Sequence, residues 1–303
     1  MSSATDIQAD DWIDRIAPEG TRPYLRLARI DRPIGTWLLL FPGWWSLALA
    51  APAGKLPDGY AMVLFGIGAL VMRGAGCTVN DMVDRDIDAK VARTAGRPLA
   101  SGRLSFKQAV VFLALQLAVG LVILLQLQPL AIELGVFSLA LIVTYPFMKR
   151  ITWWPQAFLG LTFNWGALMG YAAVTNGLDW PPVLLYIAGF FWTLFYDTIY
   201  AHQDKEDDAL IGVKSSARWL GQRTRPALFL FAAIMIALLM ASVGAAGLGW
   251  AAKLGVIGVA GHLAWQALAC DFDQPRDCLA KFKSNRQIGW ILLAGLVLAK
   301  LMQ

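Results

Sequence analysis

The sequence predicts an all-α membrane protein with nine transmembrane helices. Hydrophobic residues make up 57% of the 303 residues and charged residues only 16%, and the mean hydropathy of +0.54 excludes an ordinary soluble domain. The apolar residues also gather into runs that are long enough to cross a bilayer. Nine such runs lie roughly at 34–50, 60–79, 109–127, 130–147, 157–174, 183–201, 227–247, 254–269 and 287–302.

The basic residues predict how these helices are oriented. Lys and Arg concentrate before the first run and after the second, fourth, sixth and eighth runs. Because short translocated loops lose positive charge, this bias places the amino terminus in the cytoplasm and the carboxyl terminus on the other side. Residues 1–32 are expected to form a cytoplasmic amphipathic segment, and residues 33–303 a single polytopic domain.

Charge and cysteine content exclude several classes of partner. The formal net charge of +5 is spread over the loops, so it reflects topology, and no nucleic acid partner is expected. Cys77, Cys270 and Cys278 show no paired spacing, which argues against a disulfide framework and against a zinc site. The lipid bilayer is an expected partner, and nothing in the sequence indicates an obligate protein partner.

A dense group of polar residues follows the second apolar run. If this stretch is helical, Asn80, Asp84 and Asp88 recur at every fourth position, and Asp81 shares their face. Stacked carboxylates repel one another, so the arrangement becomes favourable when cations lie among the oxygens. Oxygen ligands with room for water suit Mg²⁺ that carries a substrate phosphate.

A second acidic group follows the sixth apolar run. Asp204 and Asp208 repeat the spacing of Asp84 and Asp88 at a distance of 120 residues (204 − 84). The repetition indicates an internal duplication whose two halves face one shared site. The predicted metal ligands are therefore Asn80, Asp81, Asp84, Asp88, Asp204 and Asp208.

Charged residues inside the apolar runs are further candidates. Arg73 and Asp197 lie within predicted spans, where a charge faces a polar cavity or a structural ion pair because lipid does not solvate it. Pro146 is expected to end or kink its helix and to turn Lys149 and Arg150 toward the membrane surface. There these two residues either fix topology or clamp an anionic group.

Three motifs together resemble the UbiA superfamily of intramembrane prenyltransferases. They are Asn80-Asp81-x-x-Asp84-x-x-x-Asp88, Asp204-x-x-x-Asp208 and Tyr145-x-x-x-Lys149. The resemblance implies a bundle of nine helices around a central cavity, with the acidic motifs on cytoplasmic loops after helices 2 and 6. The strings that begin at Asp31, Arg73, Tyr145 and Tyr196 are most similar to bacterial 4-hydroxybenzoate polyprenyltransferases. This similarity implies ubiquinone biosynthesis at the bacterial inner (plasma) membrane, with the carboxyl terminus in the periplasm.

The resemblance also implies a reaction. A polyprenyl group passes from polyprenyl diphosphate to the ring carbon ortho to the hydroxyl of 4-hydroxybenzoate, by ionisation assisted by the cofactor Mg²⁺ and electrophilic aromatic substitution. The implied catalytic residues are Asp84, Asp88, Asp197, Asp204 and Asp208. The implied substrate-binding residues are Arg32, Arg73, Arg85, Tyr145, Lys149, Arg150 and Lys214.

Two assignments within this scheme stay open on the sequence. The carboxylate of the acceptor needs a guanidinium, and the candidates are Arg85, Arg73 and Arg32, in that order. Asp197 either orients a cationic residue, holds the phenol hydroxyl or acts as a base. Prenyl chain length, the number of metals and the oligomeric state do not follow from the sequence.

Two other functions are alternatives. One is a prenyltransferase of the same superfamily that acts on a naphthoate, a homogentisate, haem or a chlorophyllide. The other is an ion or phosphate transporter, in which the duplicated acidic groups bind the ion. Both acidic groups lie at the same end of their spans and no polar residues match them at the other end, which argues against a transport pathway.

Overall fold

In a computed structural model the chain is described at residues 7, 10–91, 94–205, 212 and 214–303. The side chains of Pro146, Phe147, Lys149, Arg150 and Asp204 lie outside this description. The described residues form helices and turns and no strand, so the predicted all-α class is confirmed. The α-helices are α1 (Trp12–Ile16), α2 (Arg22–Leu27), α3 (Ile34–Ala50), α4 (Gly59–Asp88), α5 (Phe106–Leu124), α6 (Pro129–Ile151), α7 (Pro155–Phe163), α8 (Gly166–Thr175), α9 (Trp180–Ala201), α10 (Ser216–Leu220), α11 (Thr224–Ala245), α12 (Trp250–Ala269) and α13 (Pro275–Leu301).

Each of the nine predicted apolar runs is largely helical, with the run at 157–174 divided between α7 and α8, but fewer qualify as spans. Five segments are long and apolar enough to cross a membrane: Gly59–Asp88, Phe106–Leu124, Pro155–Thr175, Trp180–Ala201 and Ser216–Ala245. Two shorter apolar helices are found at Ile34–Ala50 and Pro129–Tyr145. The predicted membrane protein is thus supported, whereas the count of nine transmembrane helices is not confirmed in the described residues.

Two boundaries differ from the prediction. Helix α4 continues through the first acidic group to Asp88, so this group lies in the last turns of a helix and not on a loop. Helix α6 runs through Pro146 and ends at Ile151, so Pro146 does not end it. In both places the sequence contains residues that often end a helix, a group of carboxylates in α4 and Pro146 in α6. The apolar run before each of them is long, and a long helix is easily extended.

The chain divides into two compact units. Unit 1 comprises Met1–Thr36 and Gly66–Gln126, and unit 2 comprises Trp37–Phe65 and Leu127–Gln303. This division does not coincide with the predicted boundary after residue 32, which stays a prediction.

The core of unit 1 joins the amino-terminal segment to the chain after α4. Leu27 of α2 packs with Leu99, Leu104 and Ala109 in a buried cluster, and Tyr24 lies against it. These apolar contacts remove the end of α2 from water and fix its position. Trp12 and Ile16 of α1 are exposed, as expected of an amphipathic segment.

The core of unit 2 is an aromatic cluster where α3, α9 and α13 meet. The ring of Trp45 lies 5.0 Å from that of Trp192 and 6.1 Å from that of Phe41. Each buried indole also donates a hydrogen bond, from Trp45 Nε1 to the Gly289 carbonyl (2.9 Å) and from Trp192 Nε1 to Asn285 Oδ1 (2.9 Å). Large rings whose N–H groups are satisfied give a well-defined helix packing.

Asn164 is explained by packing within unit 2. Its Nδ2 donates to the Gly160 carbonyl (2.8 Å) and to Thr193 Oγ1 of α9 (2.8 Å). A Cβ atom at Gly189 would collide with the Asn164 amide, so the small residue lets α9 approach. Asn164 therefore joins two helices.

The contact between Phe41 and Gly289 gives a test of the unit 2 core. A Cβ atom at Gly289 would overlap the Phe41 ring, so we expect Gly289→Ala to destabilise the protein by about 1–3 kcal/mol. Gly261→Ala is the matched control, because a Cβ atom there meets nothing within 4 Å and alanine favours a helix. Thermal unfolding in detergent measures both, and equal unfolding temperatures would contradict this packing.

Candidate active site

The first acidic group lies on one buried face of α4. Asp81, Asp84 and Asp88 are only 1%, 2% and 7% exposed, while Asp86 on the other side of the helix has a side chain that is 92% exposed. The predicted helical spacing is therefore confirmed. Burying three carboxylates is unfavourable unless partners compensate their charge.

Arg29 is one of these partners. Its Nη2 donates to both carboxylate oxygens of Asp81, at 2.7 and 3.0 Å, and its Nη1 donates to the Arg26 carbonyl at 2.9 Å. The backbone of Arg29 has φ of 58°, in the left-handed region that non-glycine residues seldom adopt. Such a conformation persists where surrounding contacts fix it, and the buried ion pair to Asp81 is such a contact.

Arg97 is the second partner, and it connects two of the carboxylates. Its Nη1 donates to Asp88 Oδ2 at 2.8 Å and lies 3.4 Å from Asp81 Oδ1. The chain returns to this point after α4 because Thr94 Oγ1 donates to the Asp88 carbonyl (2.9 Å). Neither Arg29 nor Arg97 is among the site residues predicted from the sequence. The sequence shows only that several arginines flank the motif. It does not show which of these arginines contact the carboxylates.

The predicted acceptor arginines differ in their surroundings. The Arg85 side chain is 52% exposed and lies 3.7 Å from the Asp86 carboxylate. Arg32 Nε donates to Asp31 Oδ2 at 3.0 Å. The Arg73 guanidinium packs directly against Gly35, where a Cβ atom would collide with it. Arg32 and Arg73 are thus held at the start of α3, whereas Arg85 is on the exposed side of α4.

Asp31 is a neighbour of these arginines that the sequence analysis did not assign. Its Oδ1 is buried and accepts no hydrogen bond from the described residues. Burial raises the pKa of the Asp31 carboxyl above its usual value, against the opposing effect of Arg32 and Arg29. A buried acceptor of this kind needs a donor from outside the described residues.

The second acidic group is described only in part. Asp208 and the side chain of Asp204 lie outside the described residues, so their predicted roles stay predictions. Asp197 is half-buried in α9, seven residues earlier. Lys205 Nζ pairs with Asp273 Oδ1 at 2.6 Å, and this contact keeps the pKa of Asp273 below its usual value.

His202 lies buried at the end of α9. Its Nε2 is 2.9 Å from Thr224 Oγ1, and its ring lies 4.9 Å from that of Phe272. Burial lowers the pKa of His202 to about 4, with a smaller contribution in the same direction from Lys205. His202 is therefore a neutral packing residue at neutral pH, next to the second acidic group.

The predicted cationic clamp is also described in part. Lys214 Nζ donates to the Ile151 carbonyl at the end of α6 (3.1 Å) and lies 5.9 Å from the centre of the Trp153 ring. The side chains of Lys149 and Arg150 are outside the described residues, and Tyr145 is half-buried. The structure thus places Lys214 at the end of the helix that carries Tyr145 and Lys149.

The donor set fits a hard divalent cation. Asn80, Asp84 and Asp88 offer carboxylate and carboxamide oxygens, the ligands that Mg²⁺ prefers. Within the described part of the chain, no group of three His, Cys, Asp or Glu side chains is arranged to hold a metal.

The contact between Arg29 and Asp81 can be tested by stability. Arg29→Ala leaves a buried carboxylate without its partner, so we expect a loss of about 3–5 kcal/mol. The double variant Arg29→Ala with Asp81→Ala should recover part of it, because the unpaired charge is gone. Unfolding in detergent, followed by Trp fluorescence, measures this coupling.

Arg15→Ala is the control for that experiment. Arg15 and Asp10 pair at 3.1 Å with side chains that are 67% and 80% exposed, and an exposed pair contributes at most about 1 kcal/mol. A loss no larger for Arg29→Ala than for Arg15→Ala would show that the buried pair does not stabilise the fold.

Comparison with known proteins identifies relatives of the whole chain. The sequence profile of the UbiA prenyltransferase family matches residues 39–295. A 4-hydroxybenzoate polyprenyltransferase, mitochondrial, of Aedes aegypti is 54% identical over 280 residues, which are 92% of this chain and 64% of that protein. The protein of the same name in Arabidopsis thaliana is 50% identical over 303 residues, which are 100% of this chain and 74% of that protein.

Solved structures show the same fold. The apo structure of a UbiA homolog from Aeropyrum pernix K1 matches with a TM-score of 0.71 and 26% identity, over 86% of this chain and 97% of that one. A UbiA homolog from Archaeoglobus fulgidus, bound to GPP and Mg²⁺, matches with a TM-score of 0.64 and 17% identity, over 93% of this chain and 100% of that one.

The relatives correct one expectation. Both named relatives are mitochondrial proteins, so the predicted location in a bacterial inner membrane, with a periplasmic carboxyl terminus, is wrong. The prediction came from the four strings that begin at Asp31, Arg73, Tyr145 and Tyr196, which carry information about a site and not about the membrane in which it lies. A multi-pass membrane protein remains supported.

Proposed function

The chain belongs to the UbiA prenyltransferase family, and from this premise we propose that it is a 4-hydroxybenzoate polyprenyltransferase. It transfers a polyprenyl group from polyprenyl diphosphate to the ring carbon ortho to the hydroxyl of 4-hydroxybenzoate, in ubiquinone biosynthesis. The main support is the 50–54% identity to two enzymes of this name over nearly the whole chain. The same names favour 4-hydroxybenzoate over a naphthoate, homogentisate or haem as the acceptor, and a mitochondrial membrane as the location.

The metal ligands are assigned by how many arginines pair with each carboxylate. Both Arg29 and Arg97 contact Asp81, whereas of these two only Arg97 contacts Asp88. Asp81 is engaged by Arg29 and Arg97, so we assign it to holding these cations and no longer to the metal. Asn80, Asp84 and Asp88 would hold Mg²⁺ together with Asp204 and Asp208. The bound metal would draw charge from the diphosphate oxygens and make diphosphate a better leaving group.

Basic residues complete the diphosphate site. Lys149, Arg150 and Lys214 neutralise the remaining charge of the diphosphate, and Tyr145 lies one helical turn before Lys149 on α6. The Ile151 carbonyl at the end of α6 accepts a hydrogen bond from Lys214 Nζ. Compensation of the charge that develops on the leaving diphosphate is the largest contribution these residues make to the rate.

The acceptor site is assigned to the start of α3. A guanidinium matches the two oxygens of a carboxylate, and Arg32 and Arg73 are held there while Arg85 faces away from the buried carboxylates. This reverses the order that the sequence suggested. Asp31 Oδ1 is placed to accept a hydrogen bond from the substrate hydroxyl, and Asp197 accepts the ring proton or orients a nearby cation.

The reaction is tested with the purified full chain in detergent. Polyprenyl diphosphate and radiolabelled 4-hydroxybenzoate are supplied with Mg²⁺ or with EDTA, and we expect a labelled lipophilic product only with Mg²⁺. Product formed equally with EDTA would remove the metal from the mechanism. Product formed only from another aromatic acceptor would overturn the assigned acceptor and keep the family reaction.

Asp84 and Asp86 provide a matched pair for the metal role. Both lie on α4, but Asp84 is buried and Asp86 is exposed. We expect Asp84→Asn to lower kcat by about 100- to 1,000-fold, the usual loss of one group that stabilises transition-state charge, with unchanged membrane insertion. Asp86→Asn should keep the wild-type rate, and similar rates for the two variants would remove Asp84 from the metal site.

Arg73 and Arg85 provide a second pair, for the acceptor. Lysine keeps the charge but loses the paired N–H geometry, so Arg73→Lys should raise KM for 4-hydroxybenzoate by about tenfold. The KM for polyprenyl diphosphate should stay constant. If Arg85→Lys raises KM for the acceptor and Arg73→Lys does not, the order given by the sequence was right.

A further inference from the structure

Unit 2 contains a cavity of about 690 Å³ at the beginning of α9. Helix α9 has 22 residues, and a rise of ~1.5 Å per residue puts its two ends roughly 33 Å apart. That length is close to the thickness of the hydrocarbon core of a bilayer. The second acidic group follows the other end of α9, so the cavity lies at the opposite membrane surface from it.

One wall of the cavity carries a carboxylate. Asp179 precedes α9 in the N-cap position, yet its side chain caps no backbone amide. The next residues include Pro181 and Pro182, which have no N–H to donate. The Asp179 carboxylate instead accepts a hydrogen bond from the Tyr171 hydroxyl at 2.9 Å. Both residues line the cavity, so this bond fixes the position of the carboxylate at the cavity wall.

Another wall carries an ammonium group. Lys300 lines the cavity from the last turn of α13. Its backbone is fixed because its carbonyl accepts the Gly54 N–H at 2.9 Å. Within the described residues, Lys300 forms no ion pair with a carboxylate. The cavity therefore presents a cation and an anion that are not joined to each other.

Two exposed apolar side chains also line the cavity. Trp180 is 73% exposed and Leu178 is 39% exposed, and both line the cavity. Tryptophan beside the end of a span is typical of the level of the lipid headgroups. Snorkelling and a belt position would explain Lys300 and Trp180 singly, but they do not explain a carboxylate in the same cavity.

We propose that this cavity binds the headgroup of a zwitterionic phospholipid. The lipid phosphate contacts the Lys300 ammonium, and the ammonium of the headgroup contacts the Asp179 carboxylate. A free anion would be repelled by Asp179 and a free cation by Lys300, whereas a headgroup with both charges satisfies both walls. The acyl chains leave the cavity past Trp180 and Leu178. None of these residues belongs to the acidic groups, so this site is independent of the proposed reaction.

The proposal is tested by lipid retention. The purified full chain is delipidated in detergent and titrated with phosphatidylethanolamine, phosphatidylglycerol or inorganic phosphate, and native mass spectrometry counts the bound molecules. We expect one phosphatidylethanolamine per wild-type chain. Lys300→Gln should weaken its retention about tenfold, the usual effect of losing one charge-assisted hydrogen bond, and Lys300→Arg should restore it.

Asp179→Asn tests the other charge, and Lys253→Gln is the control. Asp179→Asn should abolish the preference for phosphatidylethanolamine over phosphatidylglycerol, because only the former carries an ammonium group. Lys253 is exposed on α12 and does not line the cavity, so Lys253→Gln should retain lipid like the wild type. Equal retention by the Lys300→Gln and Lys253→Gln variants would overturn the proposal. It would also be overturned by a wild-type preference for phosphatidylglycerol, or by displacement of the lipid by equimolar phosphate.

Discussion

The burial of three carboxylates on one face of α4 is the constraint on which unit 1 depends. Asp81, Asp84 and Asp88 are almost fully removed from water, and such a cluster is stable only if cations are fixed beside it. Arg29, which precedes the acidic group in the sequence, and Arg97, which follows it, provide these cations. The segment before α3 and the turns after α4 must therefore both return to α4, and the apolar cluster around Leu27 and Leu99 holds them there. The amino-terminal segment is thus part of the support of the acidic group, in addition to being amphipathic.

The sequence predicted what depends on neighbours along the chain. The apolar runs are largely helical, although the run at 157–174 is divided between two helices, and the shared face of Asp81, Asp84 and Asp88 follows from the helical repeat alone. It did not predict the partners of these carboxylates, because Arg29 lies 52 residues and Arg97 lies 16 residues away from Asp81. Contacts at such separations depend on the tertiary fold. The end of α4 was misplaced for the same reason: a run of acidic residues resembles a loop until its counter-charges are known.

Site motifs and cellular location are different kinds of information. The motifs around Asp31, Arg73 and Asp84 describe chemistry, and relatives named as mitochondrial 4-hydroxybenzoate polyprenyltransferases share about half of all residues with this chain. A resemblance that rests on these residues therefore gave the family and the reaction. It gave no information on the compartment, where the expectation was wrong.

The carboxylates of α4 differ in their ion-pair partners. A metal ligand must be free to exchange a lone pair between solvent, substrate and cation, whereas a structural carboxylate must keep its hydrogen bonds throughout. Asp81 has the features of the second kind, because two arginines converge on it and one of them is held in a left-handed backbone conformation. Among the described residues the Asp88 carboxylate pairs only with Arg97, so displacement of this one partner would open its oxygens to a cation while Arg29 still holds Asp81. A motif that appears in the sequence as a set of equivalent acids thus separates, in the fold, into one carboxylate that two arginines hold and the others, which we propose as metal ligands.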